Sequence, residues 1–154
     1  MTMEDGVVRE FGPDRSLLIL DDDEPFRRRL ARAMEKRGFD PVVMAESVAE
    51  GLAAIRPQAP AYAVIDLRLE DGNGLDVVEA IRESRPESRV VVLTGYGAIA
   101  TAVAAVKIGA TDYLSKPADA DDVEAALLAK AADKPEPPEN PMSADRVRWE
   151  HIQR

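Results

Sequence analysis

Apolar residues along the chain follow two spacings, short continuous runs and longer stretches with helical periodicity. Four runs are rich in Val, Ile and Leu or open on Tyr, as buried strands are: Leu17-Leu18-Ile19-Leu20, Tyr62-Ala63-Val64-Ile65, Val90-Val91-Val92-Leu93 and Tyr113-Leu114. Between them, apolar residues recur every three or four positions, which is typical of helices that bury one face. The pattern predicts strands at 16–20, 41–45, 61–65, 89–93 and 111–114, and helices at 25–37, 47–56, 74–84, 98–108 and 119–132.

Residues that favour helix ends support these bounds. Pro25 suits the first turn of a helix, and Gly38 suits its C-terminal cap. Ser47 followed by Glu50 has the form of a capping box. Short connections between successive strand–helix units imply right-handed crossovers with helices on both faces of the sheet. The predicted fold class is therefore α/β, a doubly wound parallel sheet.

The composition changes after residue 132. Four prolines between 134 and 141 cannot continue a helix, so residues 133–142 are predicted to be a semi-rigid linker. Residues 143–154 have the pattern of a new helix that begins at Ser143, with Val147, Trp149 and Ile152 on an apolar side. Because this helix has nothing of its own to bury against, we expect a truncated second domain there. Residues 1–14 are expected to be an N-terminal extension.

Composition narrows the classes of function. A formal net charge of −9 argues against a nucleic-acid surface on the main body of the chain. The absence of cysteine excludes disulfides, thiolate metal sites and a cysteine nucleophile. The first residues lack the basic-then-apolar pattern of a secretory signal, and no apolar stretch approaches membrane-spanning length. We therefore expect a soluble cytoplasmic protein.

Chemically active side chains stand just beyond the ends of the predicted strands. They are Asp21, Asp22, Asp66, Thr94 and Lys116. Because the carboxyl ends of parallel strands line one crevice, we expect these side chains to lie close together. Two carboxylates about 4 Å apart repel by roughly 4 kcal/mol at an effective dielectric near 20. A hard divalent cation such as Mg²⁺ would remove that repulsion, and the whole set suits reversible acyl-phosphate formation.

Each of these residues also has an ordinary structural interpretation. An aspartate after a strand often forms a turn or caps a helix, as Asp21 and Asp22 could. Thr94 could simply begin a turn, and Lys116 could be a solvated loop residue. Asp66 fits such an interpretation least, because it lies between apolar residues, a poor place for a solvated charge. The functional interpretation depends on all of these positions acting together.

Four motifs in order resemble the receiver domain of two-component response regulators. They are Leu18-Ile19-Leu20-Asp21-Asp22-Asp23-Glu24-Pro25, Val64-Ile65-Asp66-Leu67-Arg68-Leu69-Glu70-Asp71-Gly72-Asn73-Gly74, Val92-Leu93-Thr94-Gly95-Tyr96-Gly97 and Gly109-Ala110-Thr111-Asp112-Tyr113-Leu114-Ser115-Lys116-Pro117. The resemblance covers about residues 15–132 and implies a flavodoxin-like (βα)₅ fold with strand order 2-1-3-4-5. Residues 70–76 and 94–105 are similar to the RegA/PrrA/ActR type of redox-linked global regulators in proteobacteria.

The resemblance implies a role for each member of the acidic site. It implies that Asp66 accepts a phosphoryl group from a sensor histidine kinase. It also implies that Mg²⁺ is held by Asp21, Asp22, Asp66 and the backbone carbonyl of Arg68. A protein of this kind is a regulatory phosphoprotein and not an enzyme acting on a separate substrate.

The phosphoryl contacts and the switch are implied in the same way. Thr94 and Lys116 match the residues that contact the phosphoryl group, and the peptide bond before Pro117 matches one that is usually cis in the family. Tyr113 matches a switch aromatic whose ring turns inward as the threonine moves. An ordinary tyrosine at the sheet edge is the alternative interpretation of Tyr113.

One departure from the family lies in the loop after Asp66. Many receivers carry Met-Pro there, whereas this chain has Leu69 and Glu70. The loop loses a rigid proline and gains two nearby negative charges, on Glu70 and Asp71. We expect metal affinity or the lifetime of the phosphoryl group to differ from the family norm.

Two surfaces suggest partners. The helix at 98–108 is apolar nearly all round, so we expect phosphorylation-enhanced homodimerisation through this helix and strand 111–114. Four arginines are expected on the exposed side of the first helix, as a solvated face or a docking site for the kinase: Arg27, Arg28, Arg29 and Arg32.

The C-terminal segment bears on the output of the protein. Residues 143–154 resemble the opening of a Fis-like helix-turn-helix domain, which implies transcription control through DNA bound by a domain absent from this chain. His151 is expected to be a surface helix residue. A stand-alone receiver that acts as an adaptor is the alternative. A haloacid-dehalogenase-like phosphohydrolase fits poorly, since residues 21–25 lack the Asp-x-Asp-x-Thr/Val pattern.

Overall fold

The computed structural model describes residues 14–95 and 99–129. Five strands alternate with five helices in the order β1 Leu17–Leu20, α1 Glu24–Lys36, β2 Val42–Ala45, α2 Val48–Ile55, β3 Tyr62–Asp66, α3 Leu75–Ser84, β4 Arg89–Thr94, α4 Ile99–Lys107, β5 Asp112–Ser115 and α5 Ala120–Leu128. A short antiparallel ribbon of Arg68–Leu69 and Gly72–Asn73 follows β3. The predicted linker at 133–142, the predicted helix start at 143–154 and His151 lie outside the described residues.

The five main strands form one parallel sheet in the order β2-β1-β3-β4-β5. The predicted α/β class and the strand order implied by the family resemblance are therefore both confirmed. Leu20, the last residue of β1, pairs with Ile65, so that β3 ends only one residue beyond β1. The chain order reverses between these two strands, and the crevice beyond their carboxyl ends is where such sheets bind ligands.

The sheet separates two apolar cores, because alternate residues of each strand point to opposite faces. On one face, Leu17 and Ile19 pack with residues of α1 and α5, among them Met34 and Leu127. On the other face, residues of β1 and β3 pack with α2, α3 and α4, including Ile81. Strands buried on both faces explain why they are continuous apolar runs in the sequence.

The helix ends agree with the sequence in part. Gly38 follows α1 with a φ of 101°, as its predicted role at the C-terminal cap requires. The Ser47 side chain accepts from the Glu50 backbone N–H at 3.1 Å. The carboxylate of Glu50, however, accepts from the N–H of Glu46, so the predicted capping box is only half formed. None of the helices in the described ranges is long and apolar enough to cross a membrane.

The last helix is shorter than the predicted 119–132. It ends at Leu128, and Ala129 is extended, with φ −62° and ψ 138°. The side chain of Arg89 donates to the carbonyl of Leu127, which another turn of helix would need as its own acceptor. This contact between the sheet and α5 is a physical reason for the early end.

Candidate functional site

Three carboxylates meet where β1 and β3 end. Oxygens of Asp21, Asp22 and Asp66 all lie within 4.8 Å of one another. Asp21 is fully buried, Asp66 is 4% exposed, and Asp22 is exposed at the rim. The parallel register brings the strand ends together, since Asp21 and Asp66 directly follow the paired residues Leu20 and Ile65, and Asp22 is next to Asp21. The convergence expected from the sequence is therefore present in the fold.

Lys116 joins two of these carboxylates. Its Nζ lies 3.0 Å from Asp21 Oδ2 and 3.3 Å from Asp66 Oδ2. The ammonium also lies 5.4 Å from the centroid of the Phe26 ring, within the range of a cation–π contact. The backbone N–H of Lys116 donates to the Thr94 carbonyl at 2.8 Å, and its peptide bond to Pro117 is cis, as the family resemblance implied.

Electrostatics at the site favour a further cation. Burial raises the pKa of Asp66, and the negative charge of Asp21 raises it further. The Arg68 N–H and Lys116 lower this pKa, but the net shift is upward. Burial lowers the pKa of Lys116, but the close contacts and negative charges of Asp21 and Asp66 outweigh burial, so that its net pKa is raised. One ammonium therefore faces two buried carboxylates, and the ionised form of Asp66 is not fully compensated by the protein.

The acidic residues fit a hard divalent cation. Asp21 Oδ1 accepts from the Asp23 N–H at 2.9 Å, while Oδ2 is buried without a hydrogen bond of good geometry. The contact of Oδ2 with Lys116 is close in distance but misaligned, so we describe it as an ion pair. An oxygen-only set of donors, in which one buried atom has an ion pair but no well-aligned hydrogen bond, suits Mg²⁺. Asp21, Asp22 and Asp66 could hold such an ion.

The remaining predicted residues surround this centre. Thr94 ends β4 and is buried, and its hydroxyl makes only a long hydrogen bond of 3.5 Å to the Leu114 carbonyl. The backbone N–H of Arg68 donates to Asp66 Oδ1 at 3.1 Å, while its side chain is exposed. Tyr113 lies on β5 opposite Val92 and packs, partly buried, against the core on the α2–α4 face.

Comparison with known proteins decides the family. Residues 17–128 match the response regulator receiver domain. The chain belongs to the response regulator family. It is 73% identical over 152 residues to the photosynthetic apparatus regulatory protein RegA of Cereibacter sphaeroides. That alignment covers 99% of this chain and 82% of the relative. It is also 69% identical over 143 residues to the acid tolerance regulatory protein ActR of Rhizobium meliloti, over 93% of this chain and 73% of that relative.

Solved structures of response regulators share the fold. A response regulator from Burkholderia pseudomallei, solved with a phosphorylated aspartic acid, calcium ion and citrate, has a TM-score of 0.72 and 36% identity, over 87% of this chain and 74% of that chain. A CheY-like receiver domain from Methanospirillum hungatei has a TM-score of 0.71 and 28% identity, over 78% and 95%. The resemblance to the RegA and ActR regulators and to the receiver fold is thus confirmed.

One arginine of this receiver does not lie where the sequence suggested. Arg28, Arg29 and Arg32 are exposed on α1, but Arg27 is buried, and its Nη1 donates to the Asp21 carbonyl at 2.8 Å. The prediction of an exposed Arg27 is therefore wrong. Helical spacing could have revealed it, because Arg27 is three, four and seven residues before the buried positions of α1.

Asp71 also differs from the expectation. Its carboxylate accepts from the backbone N–H groups of Val48 and Ala49, at 2.8 and 3.1 Å, and so caps α2. These hydrogen bonds hold the pKa of Asp71 below its usual value. One of the two extra charges in the loop after Asp66 is therefore paired with a helix N-terminus, and Glu70 is exposed. No local sequence signal marks a cap supplied by a residue 23 positions away.

Gly74 is a further residue that the sequence interpretation missed. A Cβ atom at this position would lie 2.7 Å from Ile65 Cγ2 and would also meet the Asp66 carbonyl oxygen. Only glycine allows the start of α3 to pass so close to the end of β3. The signal available in the sequence was the pair of glycines that closely follow Asp66.

Proposed function

We propose that Asp66 of this response regulator accepts a phosphoryl group from a sensor histidine kinase. A carboxylate oxygen of Asp66 would form the new bond to phosphorus as the P–N bond of a phosphohistidine breaks, leaving the electron pair on the imidazole. The observation that carries the proposal is the Lys116 ammonium placed against both Asp21 and Asp66, 3.0 and 3.3 Å from their oxygens. The structure from Burkholderia pseudomallei, with its phosphorylated aspartic acid, supports it by analogy.

Different residues of the site would bind the metal ion and contact the phosphoryl group. Asp21, Asp22 and Asp66, with the backbone carbonyl of Arg68, would hold Mg²⁺. The ion would supply positive charge to the phosphoryl oxygens, whose transfer depends mainly on positioning and charge stabilisation. Lys116 would contact one phosphoryl oxygen as a point cation, and the Thr94 hydroxyl would donate to another.

Mass spectrometry tests the acceptor. After treatment with acetyl phosphate and Mg²⁺, the wild type is expected to gain one phosphoryl group and Asp66→Asn to gain none. Asp76→Asn is the matched control, because Asp76 is an exposed aspartate on the neighbouring helix α3. An adduct on Asp66→Asn equal to that on the wild type would overturn the assignment.

We also propose that the kinase docks beside α1. A groove of about 590 Å³ next to the acidic site is lined by residues of α1 and of the segment after β5, among them Phe26, Arg29 and Pro117. Arg29 is exposed there, and charges at the edge of an interface act mainly on the rate of association. Arg29→Glu should slow phosphotransfer from the kinase by roughly tenfold or more while leaving acetyl phosphate as good a donor as before. An equal loss with both donors would contradict docking.

The proposed response is dimerisation through α4 and β5. On α4 and just after it, Val103, Val106 and Ile108 are partly exposed, which supports an apolar contact surface. In the proposed switch, Thr94 moves toward the phosphoryl group and Tyr113 turns inward. Sedimentation with beryllofluoride and Mg²⁺ is expected to show a dimer, and an unchanged mass would refute this surface as a phosphorylation-dependent interface.

The proposed output is control of transcription. The relatives are named as regulatory proteins of the photosynthetic apparatus and of acid tolerance. We take residues 15–132 as the receiver, 133–142 as a linker and 143–154 as the beginning of a DNA-binding domain. A gel-shift assay on the product of the whole gene is expected to show binding to promoter DNA. Failure of the full-length product to bind would favour the adaptor alternative.

A further inference from the structure

Arg27 is a buried charge whose main contact is the backbone of the acidic site. It is 8% exposed, and its Nη1 donates to the carbonyl oxygen of Asp21 at 2.8 Å. Its Nη2 lies 3.9 Å from the carboxylate of Glu46, which is 60% exposed. An exposed ion pair at that distance contributes little, so the carbonyl is the stronger reason for the arginine to be buried here.

The carbonyl that Arg27 contacts belongs to the peptide unit between the two acidic residues. Because a peptide unit is planar, fixing the oxygen of Asp21 also fixes the N–H of Asp22. The backbone N–H of Asp21 is held separately by the Ala45 carbonyl at 3.1 Å, and the Asp23 N–H donates to Asp21 Oδ1 at 2.9 Å. Three hydrogen bonds therefore fix the backbone turn that carries the Asp21 and Asp22 carboxylates.

Asp22 is the member of the cluster that most depends on this support. Asp21 and Asp66 are buried and in contact with Lys116, whereas the Asp22 side chain is exposed. Its direction is set by the backbone from which it projects. Without the Arg27 hydrogen bond, the Asp21–Asp22 peptide could rotate and turn the Asp22 carboxylate away from the other two.

We infer that Arg27 is a positioning residue for the Mg²⁺ site. Its guanidinium donates to the Asp21 carbonyl and so fixes the orientation of the Asp21–Asp22 peptide. In that orientation the Asp21 and Asp22 carboxylates would both face the ion. The inference rests on the proposed function, since it needs the cluster to bind Mg²⁺. Arginine suits the role because it stays charged when buried and reaches a carbonyl without occupying a carboxylate oxygen that the ion needs.

Isothermal titration of the metal-free protein with Mg²⁺ provides the direct test. Groups that orient metal ligands typically change affinity by about 10–100-fold when they are removed, so Arg27→Met is expected to bind Mg²⁺ at least about tenfold more weakly. Arg28→Met is the matched control. It changes the neighbouring arginine on the same helix, which is exposed and contacts Glu24 at 2.7 Å, and its Mg²⁺ affinity should stay within about twofold of wild type.

Two further variants separate the carbonyl contact from the ion pair and from folding. Glu46→Gln removes the charge facing Arg27 but leaves the Asp21 hydrogen bond, and should keep wild-type affinity. Arg27→Lys keeps a donor and a charge, and should lose less affinity than Arg27→Met. If Arg27→Met does not fold, Arg27→Gln takes its place, because its side chain is uncharged and too short to keep the hydrogen bond to the Asp21 carbonyl. An affinity for Mg²⁺ equal to that of the wild type in Arg27→Gln would overturn the inference.

A merely structural role gives a different pattern. It would lower the melting temperature equally with and without Mg²⁺, whereas a positioning role reduces the rise in melting temperature that Mg²⁺ produces. Phosphorylation of Arg27→Met by acetyl phosphate should need more Mg²⁺ but approach the wild-type rate at saturation. Wild-type Mg²⁺ affinity in Arg27→Met would overturn the inference. Absence of Mg²⁺ binding by the wild type would instead overturn the proposed metal site.

Discussion

Gly74 lies directly against the end of the strand that carries Asp66. A methyl group at 74 would press on Ile65 and on the carbonyl oxygen of Asp66, and the latter is backbone that cannot swing aside. Gly74→Ala is therefore expected to lower the free energy of unfolding by about 1–3 kcal/mol, the usual range for overpacking. It should also reduce phosphoryl uptake, since the carbonyl belongs to Asp66 itself. Urea denaturation and mass spectrometry measure the two effects.

Gly95 provides the control for the stability measurement. A Cβ atom there would meet nothing within 4 Å, so Gly95→Ala should change the free energy of unfolding by less than about 0.5 kcal/mol. If both alanine variants lost the same stability, the close approach at Gly74 would not be the cause. The two positions are comparable because Gly74 packs against the end of β3, and Gly95 directly follows the neighbouring strand β4.

The cap on α2 couples this helix to the loop after Asp66. Asp71 accepts hydrogen bonds from the first N–H groups of α2, so Asp71→Ala should lower the melting temperature near neutral pH. The folded pKa of Asp71 is lowered by these bonds. The stabilisation is therefore fully present above the ordinary value of 3.8 and is lost as the pH falls through the folded pKa.

Thermal melts between about pH 7 and about pH 2 check this direction. The difference in melting temperature between wild type and Asp71→Ala should shrink steadily as the pH falls below 3.8. Glu70→Ala is the control, since Glu70 is the exposed acid next in sequence. A gap that stayed constant with pH would show that the carboxylate charge is not the source of the effect. A gap of the same size in Glu70→Ala would point to the loop's overall charge instead.

Individual elements differ in how far the sequence predicts them. The central strands β1, β3 and β4 were predicted almost to the residue because both of their faces are buried, which leaves uninterrupted apolar runs such as Leu17–Leu20. The inward direction of Arg27 was predictable from helical spacing, yet its charge favoured the opposite interpretation. The end of α5 at Leu128 depends on a contact from Arg89 on β4, which no local pattern contains.

Convergence of the candidate site is a property of the whole fold. Once a parallel sheet is predicted, the ends of its strands must meet, so the meeting of Asp21, Asp66 and Lys116 followed from the sequence. The cap from Asp71 did not, because it links a loop to a helix that local patterns treat as unrelated. The close approach at Gly74 likewise needed coordinates, since a glycine in a loop has many possible reasons.

The two cores share one sheet, so the receiver should unfold as a unit. Leu127 is fully buried on the α1–α5 face, and Ile81 is fully buried on the other face. Leu127→Ala and Ile81→Ala are each expected to cost about 2–5 kcal/mol through lost burial and a residual cavity. Urea titrations followed by circular dichroism should show one transition in each variant, shifted to lower urea. A second transition in either variant would mean that the two faces unfold independently.

The outer strand β2 has a practical consequence for handling the protein. Val43 and Met44, 44% and 42% exposed, are the large apolar residues most open to solvent among the described positions. They stand on a strand at the edge of the sheet that pairs, among the described strands, with β1 alone. Such an edge invites strands of other molecules to pair with it when the protein is concentrated. A lysine in place of Val43 would place a charge on this edge strand, at the opposite side of the sheet from β5, and should reduce aggregation.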